Sequence, residues 1–322
     1  MFDEHGGVEK LQYRDVPTPQ LSSQDVLIKV RASGCNFNDV WARRGMPGLV
    51  VPLPHISGSD LSGVVEEVGK EVTDVQVGQE VVIHPALSCR MCEACTSGEE
   101  YFCRRFKIYG FQTGPLDGGH AEYARLPQAN VIPKPKGLSF EEAASIPLVL
   151  LTAWHMLVGR AHVKAGDFVL VLGAAGGLGV MAVQVAKLFN AKVIAVARSD
   201  EKLKKAAELG ADYLINGTTQ NMVEEVRRVT NKRGVDIVFE HVGQVTWEQS
   251  ILSLKWGGTV VTCGATTGFE AKTDIRFLWN KQLNLLGSHQ GTKAELLQAL
   301  RFVESGDIKP VVHAVLPLSE AA

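Results

Sequence analysis

The stretch Val169-Leu170-Val171-Leu172-Gly173-Ala174-Ala175-Gly176-Gly177-Leu178-Gly179 joins an apolar, β-branched run to a cluster of glycines. Such a run reads as a buried parallel strand, and the glycines turn the chain into a helix expected to begin near Val180. Ala174, Gly176 and Gly179 take the three small positions of a dinucleotide fingerprint. These allow a tight turn, backbone approach to a pyrophosphate and close helix–strand packing. Gly173, Gly177 and Leu178 complete the loop, and the helix N-terminus offers N–H groups to phosphates. Glycines alone mark any tight strand-to-helix turn, so the flanks carry the argument. A second apolar strand over 192–196, a charged helix over 201–209 and a third strand over 212–215 make a βαβαβ half-fold. A helix over 220–231, strands over 236–240, 258–263 and 283–286 and one intervening helix complete a six-stranded, doubly wound parallel sheet.

Ahead of this sheet, residues 11–126 read as short strands with frequent turns and no sustained helical period. Strands are expected at 26–30, 63–69 and 80–83, which makes a β-rich, barrel-like domain. Pro133, Pro135 and Gly137 punctuate its exit. Ser139-Phe140-Glu141-Glu142 then reads as a capped helix start, with helix continuing to about 158. The expected division is a catalytic domain over 1–140, rejoined by a tail over 288–322, and a dinucleotide-binding domain over 141–287.

The 322 residues suit two domains, each with its own core, and 45% apolar with 21% charged residues are globular values. A net charge of −2 gives no basic footprint for nucleic acid. The acidic start Met1-Phe2-Asp3-Glu4-His5 is no secretory signal. The longest weakly polar stretch, 145–159, falls short of the roughly 20 residues a membrane span needs. Four of the six cysteines, Cys89, Cys92, Cys95 and Cys103, share one loop, while Cys35 and Cys263 stand alone. This pattern fits metal binding in a reducing cytoplasm better than a disulfide framework. Four thiolates at such spacings wrap one tetrahedral zinc and close its shell, so the ion is expected to be structural.

Together these pieces resemble the medium-chain dehydrogenase/reductase superfamily over the whole chain, with both ends short of the usual family length by a strand. The resemblance implies a GroES-like catalytic domain with a structural zinc lobe, joined to a Rossmann domain. Zinc alcohol dehydrogenases of this superfamily hold a second, catalytic zinc. Against Gly34-Cys35-Asn36-Phe37-Asn38-Asp39, Gly58-Ser59-Asp60 and the segment before Thr152, its ligand positions fall on Asn36, Ser59 and Leu148. None is a thiolate or imidazole, so no Lewis acid is expected there to polarise an alcohol oxygen.

A closer likeness is to crotonyl-CoA carboxylase/reductases and related 2-enoyl-thioester reductases. It is carried by residues 36–41, 55–61, 109–113 and 237–243, with Thr266-Thr267-Gly268 and Gly287-Ser288-His289. In that family an Asn, a Phe, a Glu and a His resemble a pocket beside the nicotinamide. Asn36 or Asn38, Phe111 and His241 match, and Gln112 stands in place of the acid. The same residues also read plainly: His241 as a satisfied histidine ending a strand, Phe111 as core, and Asn36 and Asn38 as turn formers. The implied reaction is NADPH-dependent reduction of a short 2-enoyl-CoA, with carboxylation at most a side reaction because Gln112 lacks charge. His241, or a water it holds, is the expected source of the α-proton. Ala197 replaces the acid that NAD-preferring relatives carry, with Arg198, Ser199 and Lys202 nearby to meet a 2′-phosphate. Thr152 and Gly264 complete the expected cofactor contacts. The expected partners are an acyl-CoA and further copies of the chain, as a homodimer or homotetramer, with neither nucleic acid nor membrane. A quinone or enone reductase is the alternative enzyme, and a nucleotide-binding redox sensor without catalysis the alternative of another class.

Overall fold

The computed structural model describes residues 1–322. They divide into two compact units, Met1–Leu148 with Thr292–Glu304 and Lys309–Ala322, and Val149–Gly291 with Ser305–Ile308. In chain order the first unit contains β1 (Asp25–Gly34), α1 (Phe37–Arg44), β2 (Asp60–Val68), β3 (Glu80–Ile83), β4 (Ala86–Leu87), α2 (Glu93–Thr96), β5 (Lys107–Ile108), β6 (Tyr123–Pro127), β7 (Val131–Pro133) and α3 (Phe140–Ala144). Strands β6-β1-β2-β3-β7 form an antiparallel sheet, and β4 pairs with β5 beside the cysteine loop. Val26, Ile28, Leu61, Val65, Val81, Ile83 and Leu126 fill its core, as expected for strands with one apolar face.

Helix α1 departs from the sequence expectation of strands and turns throughout this unit. Its buried residues are Asn38, Ala42 and Arg43, so no apolar period announces it. Arg43 is satisfied by donating to the Gly6 carbonyl at 2.7 Å. The expected capping box at Ser139 is present, with Ser139 Oγ accepting from the Glu142 N–H and Glu142 from the Ser139 N–H. Because α3 packs on β1 and β2, the first unit runs on past residue 140 to Leu148. Helix α4 (Pro147–Trp154) follows, and its last turn widens into a π-helix over His155–Arg160.

The second unit holds β8 (Phe168–Val171), α5 (Gly177–Leu188), β9 (Lys192–Ala197), α6 (Asp200–Glu208), β10 (Tyr213–Asn216), α7 (Met222–Val229), β11 (Val235–Glu240), α8 (Trp247–Ser253), β12 (Leu254–Thr262), α9 (Ile275–Lys281) and β13 (Asn284–Gly287). The sheet order is β10-β9-β8-β11-β12-β13, parallel throughout. This is the doubly wound arrangement, which reverses direction beside β8 and places ligand sites at the carboxyl edge. Leu170, Ile194, Ile215, Val238 and Val260 meet in its core. Helix α10 (Lys293–Glu304) belongs to the first unit. No helix is long and apolar enough to cross a membrane.

Candidate active site

The glycine-rich turn is built as the fingerprint requires, with its helix starting at Gly177 rather than near Val180. Gly176 stands at the N-cap without a side-chain cap, and Gly176 and Gly177 are exposed. The first-turn N–H groups therefore face outward without intrahelical acceptors. A Cβ on Gly179 would lie 2.2 Å from the Gly173 carbonyl oxygen, so only glycine lets α5 pack this closely on the turn. Ala174 is buried and donates its N–H to the Val196 carbonyl at 3.0 Å. An exposed helix start with no side chain in front of it fits a pyrophosphate.

His241 follows β11, the neighbour of β8, and folds over this turn. Gly173 has φ +58°, and a Cβ there would lie 3.0 Å from the His241 ring. His241 Nε2 lies 2.8 Å from the Leu172 carbonyl. A carbonyl only accepts, so Nε2 carries the hydrogen. Burial holds the imidazole below its ordinary pKa against the raising effects of Leu172 and Glu240, which makes the neutral ring the resting form.

Next to His241 in the chain lies Glu240, the last residue of β11. It is fully buried. Its Oε1 accepts the N–H groups of Val242 at 2.6 Å and Gly243 at 3.0 Å. Its Oε2 accepts the hydroxyls of Thr246 at 2.9 Å and Ser250 at 2.7 Å. Four donors around one carboxylate fix the loop that carries His241. The glutamate reads as strand from sequence, since its partners lie on the following loop and helix.

The remaining expected cofactor residues separate into two groups. Ala197 ends β9, and Arg198 and Lys202 are exposed. Ser199 is the N-cap of α6, its side chain accepting from the Lys202 N–H at 3.4 Å. Thr152 is buried and accepts from Gln290 Nε2 at 3.0 Å. Gly264 lies in the loop after β12, where its carbonyl accepts from the Thr262 hydroxyl.

In the first unit, the positions that the resemblance sets against a catalytic zinc carry hydrogen bonds among Asn36, Asn38, Ser59, Asp60 and Leu148. Asn36 caps α1, and its N–H donates to Asp39 Oδ2 at 2.7 Å. Asn36 Nδ2 donates to Asp60 Oδ2 at 2.9 Å, and the Leu148 N–H donates to Asp60 Oδ1 at 2.9 Å. Asn38 Nδ2 donates to Ser59 Oγ at 2.7 Å, while Asn38 Oδ1 is buried without a partner. Asp39 Oδ1 accepts the Gly58 N–H at 3.0 Å. His120 Nε2 lies 3.5 Å from Asp39 Oδ2, and its Nδ1 lies 2.7 Å from Ser33 Oγ. Burial drives the Asp60 carboxyl up to about 7, against the opposing bonds from Asn36 and Leu148.

Phe111 and Gln112 take plainer places than the resemblance implies. Phe111 packs with Phe2, Ala42, Val51 and Ile108 in a core cluster. Gln112 Oε1 accepts the Ile108 N–H at 2.9 Å, and the Gln112 N–H returns to the Ile108 carbonyl at 2.9 Å. The amide thus closes its own turn, a local bond that a single sequence does not announce.

Cys89, Cys92, Cys95 and Cys103 place their sulfurs within 4.8 Å of one another. Cys103 Sγ accepts the N–H groups of Cys89 and Arg105, each at 3.4 Å. The Met91 and Cys92 N–H groups hold the Cys89 thiol below the usual range. A set of four such sulfurs, with backbone donors aimed at them, fits tetrahedral zinc.

Residues 22–136 match the alcohol dehydrogenase GroES-like domain and residues 177–305 the zinc-binding dehydrogenase family. The crotonyl-CoA carboxylase/reductase of Cereibacter sphaeroides is 35% identical over 99% of this chain and 80% of its own. A crystal structure of an NAD-dependent alcohol dehydrogenase superposes with a TM-score of 0.94 at 45% identity, covering 99% of this chain and 92% of its own. A 2-octenoyl-CoA carboxylase reductase, solved with NADP and 2-octenoyl-CoA, superposes with a TM-score of 0.88 at 35% identity, covering 97% and 78%. This chain is therefore an oxidoreductase of the medium-chain dehydrogenase/reductase superfamily, with the zinc and NAD(P) associations of its relatives.

Proposed function

We propose that the protein reduces a short-chain 2-enoyl-CoA thioester, of crotonyl-CoA or acryloyl-CoA type, with NADPH. One observation carries this reading against the alcohol dehydrogenase relatives. At Asn36, Ser59 and Leu148, the positions the resemblance sets against the catalytic zinc ligands, Asn36 and Leu148 both donate to Asp60 and Ser59 accepts from Asn38. Amide and hydroxyl donors of this kind suit an enolate oxygen better than they suit zinc.

The nicotinamide, when bound, supplies the hydride for Cβ. Gly173, Ala174, Gly176, Gly177, Leu178 and Gly179 hold the pyrophosphate, and Thr152 and Gly264 line the nicotinamide end. Arg198 and Lys202 meet the 2′-phosphate, with Ser199 shaping their turn through its cap. Asn36 and Asn38 orient the thioester oxygen, with Phe111 backing them from within its core cluster. With its Nε2 hydrogen committed to Leu172, neutral His241 presents Nδ1 as an acceptor. It orients a water that protonates Cα, and the hydroxide left behind takes its proton back from solvent, so His241 itself gives up none. Gln112 carries no charge, which favours protonation over carboxylation of the enolate.

Cys89, Cys92, Cys95 and Cys103 hold one structural zinc, and all six cysteines are free, as a reducing cytoplasm would keep them. We further propose that a second copy of the chain pairs at the unpaired edge formed by β13.

The test is oxidation of NADPH and of NADH with crotonyl-CoA, acryloyl-CoA and a quinone side by side. Preference for an enoyl-CoA supports the reading, preference for the quinone supports the enone reductase, and no turnover supports a sensor.

A further inference from the structure

We propose that Asp60 is the positioning residue of the first unit's half-site, holding the Asn36 carboxamide in the orientation from which it donates to substrate; this rests on the reading above that Asn36 meets the thioester oxygen. Asp60 opens β2 and pairs with Gly34 at the end of β1. A Cβ on Gly34 would lie 2.5 Å from the Ala144 carbonyl oxygen and 3.2 Å from Asp60 Cβ. Glycine there lets the end of α3 approach the strand pair that carries Asp60. One carboxylate thereby ties three segments together: the α1 cap through Asn36, β2 through its own backbone, and the start of α4 through the Leu148 N–H.

The bond to Asp60 uses one of the two hydrogens on Asn36 Nδ2, and an amide held by one hydrogen has its other hydrogen in a fixed direction. Without the acid the carboxamide keeps only the capping-box contact of its oxygen with the Asp39 N–H, and its Nδ2 loses the acceptor that fixes the direction of the free hydrogen. A leucine-sized apolar group at position 60 would avoid the desolvation penalty of a buried carboxyl, so the acid does something that packing alone does not need.

The titratable groups facing Asp60 are Asp39 on α1, which raises its pKa, and His120 in the turn before β6, which lowers it; with burial and the two donors they bring it to about 7. When ionised, both oxygens accept, and the Asn36 bond is charge-assisted. When protonated, one oxygen becomes a hydroxyl and the hold weakens. Catalysis should strengthen as pH rises through the Asp60 transition.

The test is a double-mutant cycle with Asn36→Ala and Asp60→Asn, reading kcat and KM across about pH 5.5–9 with whichever of crotonyl-CoA, acryloyl-CoA or a quinone the wild type prefers. In wild type, kcat should rise with a midpoint near 7. In Asp60→Asn this limb should flatten and kcat should fall about tenfold, with KM changed by no more than about twofold. In the Asn36→Ala background the second change should have no further effect. Additive losses, or an unchanged limb in Asp60→Asn, would overturn the proposal. A quinone as the preferred substrate would remove the enoyl-CoA reading while the cycle still decides the role of Asp60. A second readout needs no substrate. In protein labelled with 15N-asparagine, the Asn36 side-chain signals, assigned by their loss in Asn36→Ala, should titrate near pH 7 in wild type and not in Asp60→Asn. Signals that do not titrate in wild type would overturn the proposal even if no substrate turns over.

Discussion

The four-cysteine lobe and the Asn36–Asp60 cluster lie in one unit and are opposite in kind. In the lobe, four sulfurs converge within 4.8 Å and backbone N–H groups point at them. In the cluster, amides, a hydroxyl and a carboxyl bond to one another at 2.7–2.9 Å. Four converging sulfurs fit a tetrahedral metal, whereas the polar groups of the cluster pair with one another, Asn36 and Leu148 with Asp60 and Asn38 with Ser59. Under the proposed function, the metal-binding family name describes the lobe and not the chemistry of the cluster.

The sharpest way to break this comparison is to damage the lobe. Cys103→Ser should lower zinc content from one equivalent towards zero and the melting temperature by about ten degrees or more, since structural zinc contributes directly to folding. NADPH affinity of the remaining soluble protein should hold. Two zinc equivalents in the wild type, by elemental analysis, would mean that the cluster also binds metal.

The cluster itself should report through stability. Asp60 has a folded pKa raised from 3.8 to about 7. Below the lower value both states carry the proton and the group has no effect. As pH rises from about 4 to about 7 the unfolded chain releases its proton while the fold retains it, so stability falls by up to roughly 1.4 kcal/mol per pH unit and levels off above. Asp60→Asn should flatten that decline in denaturant melts. An equally steep decline in the variant would contradict the assignment.

Two smaller effects sharpen the account of the nucleotide and acyl residues. Arg198→Ala should raise KM for NADPH about ten- to a hundredfold and leave KM for NADH nearly unchanged; equal effects on both would refute a 2′-phosphate contact. Gln112→Glu should shift products from butyryl-CoA towards ethylmalonyl-CoA by up to about tenfold, the change that about 1.4 kcal/mol between competing steps produces. Gln112 bonds the Ile108 N–H, and mass spectrometry of products formed with labelled bicarbonate measures the shift. Ethylmalonyl-CoA as the main product of the unmodified protein would overturn the reductase preference.

The parallel sheet is legible in the sequence because buried strands are continuous β-branched runs and the turn after β8 needs glycine for steric reasons. Helix α1 is not, because its inward face carries Asn38 and Arg43, whose satisfaction depends on Ser59 and Gly6 far along the chain. Ser199 is legible as a cap from its place before Asp200, and its side chain accepts the Lys202 N–H. Asp60 and Glu240 stay hidden for a common reason. An acid within a strand looks solvated until its donors are seen, and here those donors come from other segments or from the next loop. His241 is found by motif, while its tautomer depends on the Leu172 carbonyl.

The most direct test of the central claim is to compare, on one zinc-quantified preparation, NADPH oxidation with crotonyl-CoA against NAD⁺ reduction with a primary alcohol. The account predicts turnover of crotonyl-CoA, no alcohol oxidation and one zinc per chain. Alcohol oxidation with NAD⁺, accompanied by a second zinc, would contradict it.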